Sequence, residues 1–205
     1  MLKKYLFLIF IISVLFHKEL LSQDSVFVKI LNANSKSYLV NQAVEVESLF
    51  PMFFYGGYHL GAGYRYKKFR VRVSVINSGS YDAEPAGINN GSRNFKRFYL
   101  TSPGIFFGYN FWKNFDIYSF IESHTFKIEQ KSTGLTGNLH SYDFGGGIGY
   151  QLFLGKYIYL QPALHIYCRK EKLIPIGNEI YNIPKVDISP VIRLGVRLWS
   201  KYPEN

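Results

Sequence analysis

The chain of 205 residues is poor in cysteine: Cys168 stands alone. No intramolecular disulfide can staple the fold, so its stability must come from another source. Long hydrophobic runs are also missing, with one exception. Only Tyr5 to Phe16 is apolar throughout, apart from Ser13. That is about a dozen residues, short of the roughly 20 that cross a bilayer as a helix, so a bundle of transmembrane helices is excluded. Acidic residues are scarce, 14 against 24 lysines and arginines, and the formal net charge is +10. This surplus suits a basic surface facing an anionic lipid layer. Nucleic acid is not expected as a partner, because the N-terminus marks an exported chain.

That N-terminus carries Lys3 and Lys4, then the short apolar run, then a small residue near Ser22-Gln23. The order is that of a cleaved secretory signal peptide over residues 1–22. No cysteine sits near the cut, so a lipid-anchored N-terminus is not expected. Residues 23–40 read as a periplasmic lead-in, 41–200 as one domain and 201–205 as a tail.

From about residue 40 onward the apolar period is two. Val186, Ile188, Pro190, Ile192, Leu194, Val196 and Leu198 share one face, against Asp187, Ser189, Arg193, Gly195 and Arg197 together with Val191 and Trp199. Tyr142 to Leu154, Tyr58 to Tyr66, Phe69 to Val75 and Ile158 to Ile166 alternate in the same way. Lys96 to Phe111 is apolar on both faces, and Phe115 to Gln130 mixes Asp116, Glu122 and His124 with Tyr118 and Phe120 on one parity. A short first strand fits Gln42 to Leu49, with Glu45 and Glu47 on its polar face. Tight turns at Lys67-Lys68, around Trp112 to Asn114 and at Gly155-Lys156 alternate with longer links: Phe50 to Gly57, Asn77 to Phe95, Lys131 to His140 and Glu171 to Lys185. Strict alternation of short and long links is what membrane barrels show.

Three features put the apolar face outward. The segments run about 9–15 residues, enough for a tilted membrane strand and long for a globular one. Aromatics gather beside the short turns (Tyr64, Tyr66, Phe69, Tyr109, Phe111, Trp112, Phe115, Tyr150, Tyr157, Tyr159 and Trp199), as an interfacial girdle would. The polar face pairs glycine with charge, which suits a narrow lumen. That lumen is expected to hold Glu45, Glu47, Asp116, Glu122, Asp143 and Asp187 with Arg65, Arg70, Arg72, Arg193 and Arg197, as a paired structural network and not a conducting path. Pro103, Pro162 and Pro190 fall on the outward parity and are expected to mark bulges or breaks near the outer rim.

The aromatic and glycine repeats Gly-Tyr-His-Leu-Gly-Ala-Gly-Tyr-Arg-Tyr (57–66), Asp-Phe-Gly-Gly-Gly-Ile-Gly-Tyr (143–150) and Ile-Arg-Leu-Gly-Val-Arg-Leu-Trp (192–199) resemble those of the small outer-membrane β-barrel proteins of Gram-negative-type bacteria. The resemblance covers roughly residues 41–200. It implies an all-β fold, a closed antiparallel up-and-down transmembrane barrel of about eight strands. It also implies an outer-membrane location, contact with outer-membrane lipid and lipopolysaccharide, and delivery by the barrel assembly machinery. A monomer is expected. The resemblance implies no particular activity. In one respect the chain departs from it: many such proteins end on an aromatic residue, and here Ser200 to Asn205 follow Trp199.

Candidate chemistry is thin. Some small outer-membrane barrels edit lipid acyl chains with a histidine-activated hydroxyl. The residues that could do so are His124 beside Ser123 and Glu122, and His140 with Ser141 and Asp143. Ser123 and His124 face opposite ways on one strand, and His140 lies at a loop edge. His59 and His165 point inward on different strands, without an evident third ligand for a metal. No cofactor is expected. The glycines at 145–147 and 149 precede no helix and so form no phosphate cradle. The expected role is non-enzymatic: envelope integrity, adhesion or ligand display through outer loops. A lipid-modifying enzyme and a soluble secreted binding barrel are the alternatives.

Overall fold

The computed structural model describes residues 40–84, 94–170 and 172–203. The expected signal peptide, the lead-in up to residue 39, the outer-loop residues 85–93, Glu171 and the last two residues lie outside the described residues. Among the described residues there are twelve strands: β1 (Gln42–Ser48), β2 (Tyr58–Tyr66), β3 (Phe69–Asn77), β4 (Phe95–Tyr99), β5 (Ser102–Trp112), β6 (Phe115–Gln130), β7 (Thr136–Tyr150), β8 (Leu152–Leu154), β9 (Ile158–Arg169), β10 (Leu173–Ile176), β11 (Glu179–Asn182) and β12 (Val186–Lys201). A 3-10 helix, Phe50–Tyr55, links β1 to β2.

Every pairing is antiparallel, and the strands form eight staves. β4 and β5 make one stave, since both pair with β6. β7 and β8 make another, since both pair with β9. The remaining staves follow in sequence order, and pairing of β1 with β12, from Gln42↔Lys201 to Ser48↔Leu194, closes the ring. The fold is therefore a closed antiparallel up-and-down β-barrel. Closure removes the sheet edges and supplies the long-range constraint that a chain without disulfides needs. Lys201, expected in the tail, still belongs to the last stave.

The short connections share one end of the barrel. Tyr66 pairs with Phe69 across Lys67-Lys68, Trp112 with Phe115 across Lys113-Asn114, and Leu154 with Ile158 across Gly155 to Tyr157. The other end carries the longer links, including the β10–β11 hairpin. One link is shorter than expected. β7 begins at Thr136, so half of the span Lys131 to His140 is strand, paired with β6 as far as Glu129↔Thr136.

Three irregularities re-aim side chains. β12 carries an extra residue against β1, because Val44 pairs with Trp199 and Glu45 with Arg197. This bulge turns Trp199 outward, 48% exposed beside Leu198, whereas strict alternation places it on the lumen face. A second bulge, between Asn110 and Trp112, leaves both Phe111 and Trp112 outside. The third separates β4 from β5. Tyr99 pairs with Phe126 but Gly104 with Glu122, so this stave gains one residue and its inward parity flips. Ser102 fills the gap: its Oγ accepts the Thr125 N–H at 3.1 Å and donates to the Leu100 carbonyl at 2.7 Å.

The prolines are accommodated in three ways. Pro103 sits in that third irregularity. Pro162 lies opposite the break between β7 and β8, where the ladder stops at Gly149↔Ala163 and resumes at Leu152↔Leu160 in the same register; with no N–H to give, Pro162 interrupts it. This break lies toward the turn end and not at the outer rim. Pro190 needs no bulge. It pairs with Leu164 in unbroken register, and β1 stops opposite Leu194, so on its other side β12 has no β1 partner whose bond a proline could cost.

Candidate functional site

The interior is the part of the molecule with chemistry in it. All eleven charged residues expected in the lumen point there, each no more than about 5% exposed. They form two clusters separated by rings.

Toward the turn end, five arginines meet three carboxylates. Glu47 is the hub. Its Oε2 takes Arg70 Nη2 at 2.6 Å and the Tyr159 hydroxyl at 3.2 Å, and its Oε1 takes Arg193 Nε at 3.1 Å together with Arg72 Nη1. Glu45 takes Arg197 Nη2 at 2.9 Å and Arg70 Nε at 3.0 Å. Asp116 lies 3.6 Å from both Arg65 and Arg70, and Arg65 donates to Gln151 at 2.7 Å. Tyr159, expected in the outer girdle, is fully buried here. It fits because Gly195 faces it: a Cβ on Gly195 would stand 2.1 Å from the Tyr159 ring. Glycine therefore serves this narrow lumen as room for a neighbour's ring.

Above this cluster Phe106, Tyr118 and Phe120 pack into a buried layer with His165 and Tyr167 against them. Gly145 and Gly147 make room for Phe120 and Tyr118 in the same manner. Arg193 Nη2 lies 2.6 Å from His165 Nε2. An arginine can only donate, so that nitrogen accepts and Nδ1 carries the proton toward the Tyr167 hydroxyl at 3.1 Å.

Toward the loop end the balance reverses. Asp143 receives a bidentate pair from Arg169 at 2.9 and 2.6 Å, the Ser141 hydroxyl at 2.8 Å and His124 Nδ1 at 2.8 Å. Arg169 Nη1 also holds Asp187 at 2.5 Å, Arg97 binds the same carboxylate at 2.8 Å, and Glu84 stands 3.7 Å from Arg97. Glu122 lies 3.6 Å from His124 Nε2. Sequence reasoning missed Arg97, Arg169 and Glu84. Arg97 was hidden by the parity flip between β4 and β5, and Arg169 by its place at a strand end. With them, among the described residues, seven buried carboxylates face seven guanidinium groups. Charges taken out of water need such partners. Arginine prevails at the turn end and acid at the loop end.

These contacts bear on the candidate catalytic residues. Ser141 and His124 are 1% exposed, inside the barrel. Both hold Asp143, so the acid stands between serine and imidazole, whereas nucleophile activation needs the imidazole in the middle. His140 is on the outer surface, facing away from Ser141, with Nδ1 at 2.7 Å from the Thr125 hydroxyl. His59 Nδ1 accepts the Leu49 N–H at 3.1 Å. Among the described residues no group of three or more His, Cys, Asp and Glu side chains is placed to hold a metal. A cavity between Arg70, Arg72, Phe106, Gly108, Asp116 and Tyr118 has room for about 10 Å³, about one water molecule.

The outer surface inverts the interior. Leu60, Tyr64, Val71, Val73, Phe107, Ile117, Tyr142, Phe144, Ile166, Ile188 and Leu198 are all exposed. On β12 the outward run from Val186 to Leu198 rises roughly 28 Å at ~3.3 Å per residue and ~45° tilt, against the ~25 Å apolar band of a membrane barrel. Near the loop end the pattern changes. Phe95, Phe126, Ile128, Leu139, Ile176, Tyr181 and Ile183 form a buried apolar cluster, while Lys127, Glu129, Thr136 and Asn138 alternate with it on the outer face. In that cap the Tyr181 hydroxyl donates to Glu84 at 2.6 Å, and burial pushes its pKa well above the ordinary tyrosine range.

The class these features define is a small closed β-barrel of eight staves, charged inside and apolar around its middle. No family model and no curated protein matches the chain. Among solved structures it is similar to the N-terminal β-barrel domain of Pseudomonas aeruginosa OprF, at 13% identity and a TM-score of 0.44 over 78% of this chain and 98% of that one. It is also similar to Neisserial surface protein A (NspA), at 13% identity and a TM-score of 0.40 over 77% and 96%. Likeness this weak carries no argument, and the barrel rests on its own strand pairing.

Proposed function

We propose that the chain is an integral outer-membrane β-barrel protein with a plugged lumen, acting without enzymatic chemistry through the surface it presents beyond the membrane. The observation that carries this reading is the inverted polarity. Large apolar side chains encircle the barrel while its arginines and carboxylates are buried. Soluble monomers rarely expose a contiguous apolar patch beyond a few hundred Å², and lipid is the solvent that such a belt fits. The lumen is filled by paired side chains, which favours envelope support or ligand display over conduction. The loop-end cap, with its own apolar core, is a stable platform for display. Contact with lipopolysaccharide and delivery by the barrel assembly machinery belong to the same reading.

Cell fractionation with gel mobility measured before and after boiling tests it. The expected result is an outer-membrane protein whose mobility shifts on boiling. A chain that stays soluble after export and shows no shift overturns the reading. Planar-bilayer recordings should show little steady conductance; large stable channels contradict a plugged lumen. A lipid-editing role would have to use the exposed His140–Thr125 pair, and His140→Ala is expected to leave the acyl pattern of the outer leaflet unchanged.

A further inference from the structure

The three tight turns share a chemistry that a hairpin does not require. Each carries lysine on its exposed tip: Lys67 and Lys68 in the first, Lys113 in the second and Lys156 in the third. Each ammonium group stands over an aromatic ring of the adjoining girdle. Lys67 lies 5.5 Å from the centre of the Tyr66 ring, Lys113 5.1 Å from that of Trp112 and Lys156 5.3 Å from that of Tyr157. Among the described residues no aspartate or glutamate belongs to these turns, and Asp116 on β6 and Glu45 on the neighbouring β1 are buried inside. The loop end differs, since there Lys96 pairs with Glu129 and acidic residues share the surface.

The backbone adds a second, independent observation. Lys67 has φ +52° and Lys113 φ +47°. This left-handed region favours glycine, asparagine and aspartate, the residues that two-residue hairpins commonly select. The third turn does use glycine at its positive-φ position, Gly155 at φ +82°. Lysine thus stands at two positions where the backbone prefers another residue, which points to a use for the charge.

From these observations we infer that the turn end of the barrel is a docking ring for anionic glycerophospholipid head groups. The aromatic rings lie at the acyl boundary and hold the lysine stems upright, and the ammonium groups meet phosphate one layer further out. This inference rests on the membrane reading above. It goes beyond it by giving the barrel a preference for one lipid class at one rim.

The test reconstitutes the full purified chain into bilayers of mixed phosphatidylcholine and phosphatidylglycerol. Lipid retained on the protein after detergent extraction is then measured by native mass spectrometry. Phosphatidylglycerol is expected to be enriched over its bulk ratio by roughly fivefold at low salt, and the enrichment should fade at high salt. A variant combining Lys67→Gln, Lys68→Gln, Lys113→Gln and Lys156→Gln should return to the bulk ratio. Should that variant not fold, Lys67→Asn and Lys113→Asn, each compatible with positive φ, must each lose part of the enrichment. Retention at the bulk ratio by the unaltered chain overturns the inference, as does full enrichment in the glutamine variant or in both asparagine variants. A chain that never enters the bilayer overturns the membrane reading instead.

Discussion

β6 passes through two environments, and its two halves obey opposite rules. From Phe115 to Ser123 the inward residues include Asp116 and Glu122, while Ile117 and Ile121 are exposed. From Thr125 onward Phe126 and Ile128 are fully buried, and Lys127 and Glu129 lie on the outer face. β7 changes at the same level, with Leu139 buried beside outward Asn138 and His140, then Asp143 buried beside outward Tyr142 and Phe144. The period of two runs through both halves without interruption. On the membrane reading proposed above, what changes is the solvent outside: in the lower part lipid would drive the apolar side chains outward and leave the charges to the lumen, and in the upper part water would restore the ordinary arrangement. On that reading the level of the switch is where the membrane would end.

Substitutions can break or sharpen this comparison. The largest effect is expected in the lower interior. Glu47→Gln leaves Arg70, Arg72 and Arg193 without their shared carboxylate and should cost about 3–5 kcal/mol, read from urea unfolding of the reconstituted barrel. Next comes the outer face. Val73→Arg, within the belt, should cost about 2–4 kcal/mol, whereas Thr136→Arg, outward in the upper part and opposite Glu129, should stay within about 0.5 kcal/mol. Equal costs at the two positions would erase the distinction between the regions.

Smaller effects belong to the cap. Tyr181→Phe leaves Glu84 without its hydroxyl donor and should destabilise the cap by about 1–3 kcal/mol, seen as faster amide exchange in β10 and β11 with the lower barrel unchanged. The smallest is a pH effect. Burial raises the Tyr181 pKa, so its contribution is full below about pH 10, where an unfolded tyrosine still keeps its proton. That contribution should be lost as pH rises from there toward the folded value. Tyrosinate absorbance of the reconstituted chain, compared with that of Tyr181→Phe, checks this.

Much of the barrel was legible in the sequence because outward and inward residues alternate cleanly through its lower part. The eight staves, the three tight turns and the charged lumen all follow from that alternation. The segments that looked mixed, Lys96 to Phe111 and Phe115 to Gln130, are where the rule inverts along one strand or where an inserted residue flips the parity. A period of two cannot register a bulge, so it sets Trp199 on the lumen face, against its outward place in the girdle, and it passes over Arg97. Tyr159 was assigned to the girdle on chemical type, yet its place inside depends on Gly195, a neighbour on another stave. The candidate catalytic groups regroup for a similar reason: the sequence sets His124 beside Ser123 and Glu122, and His140 beside Ser141 and Asp143, and only the pairing of β6 with β7 brings His124 and Ser141 onto Asp143, which stands between them.

The central claim is that one strand crosses from lipid into water. Cys168 is replaced by serine, and single cysteines are placed in turn at Ile117, Ile121, Lys127 and Glu129, all on the outer face of β6. Each reconstituted variant is then treated with a water-soluble maleimide. The account expects protection at the first two positions and rapid labelling at the last two. Uniform labelling along the strand, or protection at Lys127 and Glu129 with labelling at Ile117 and Ile121, would contradict it.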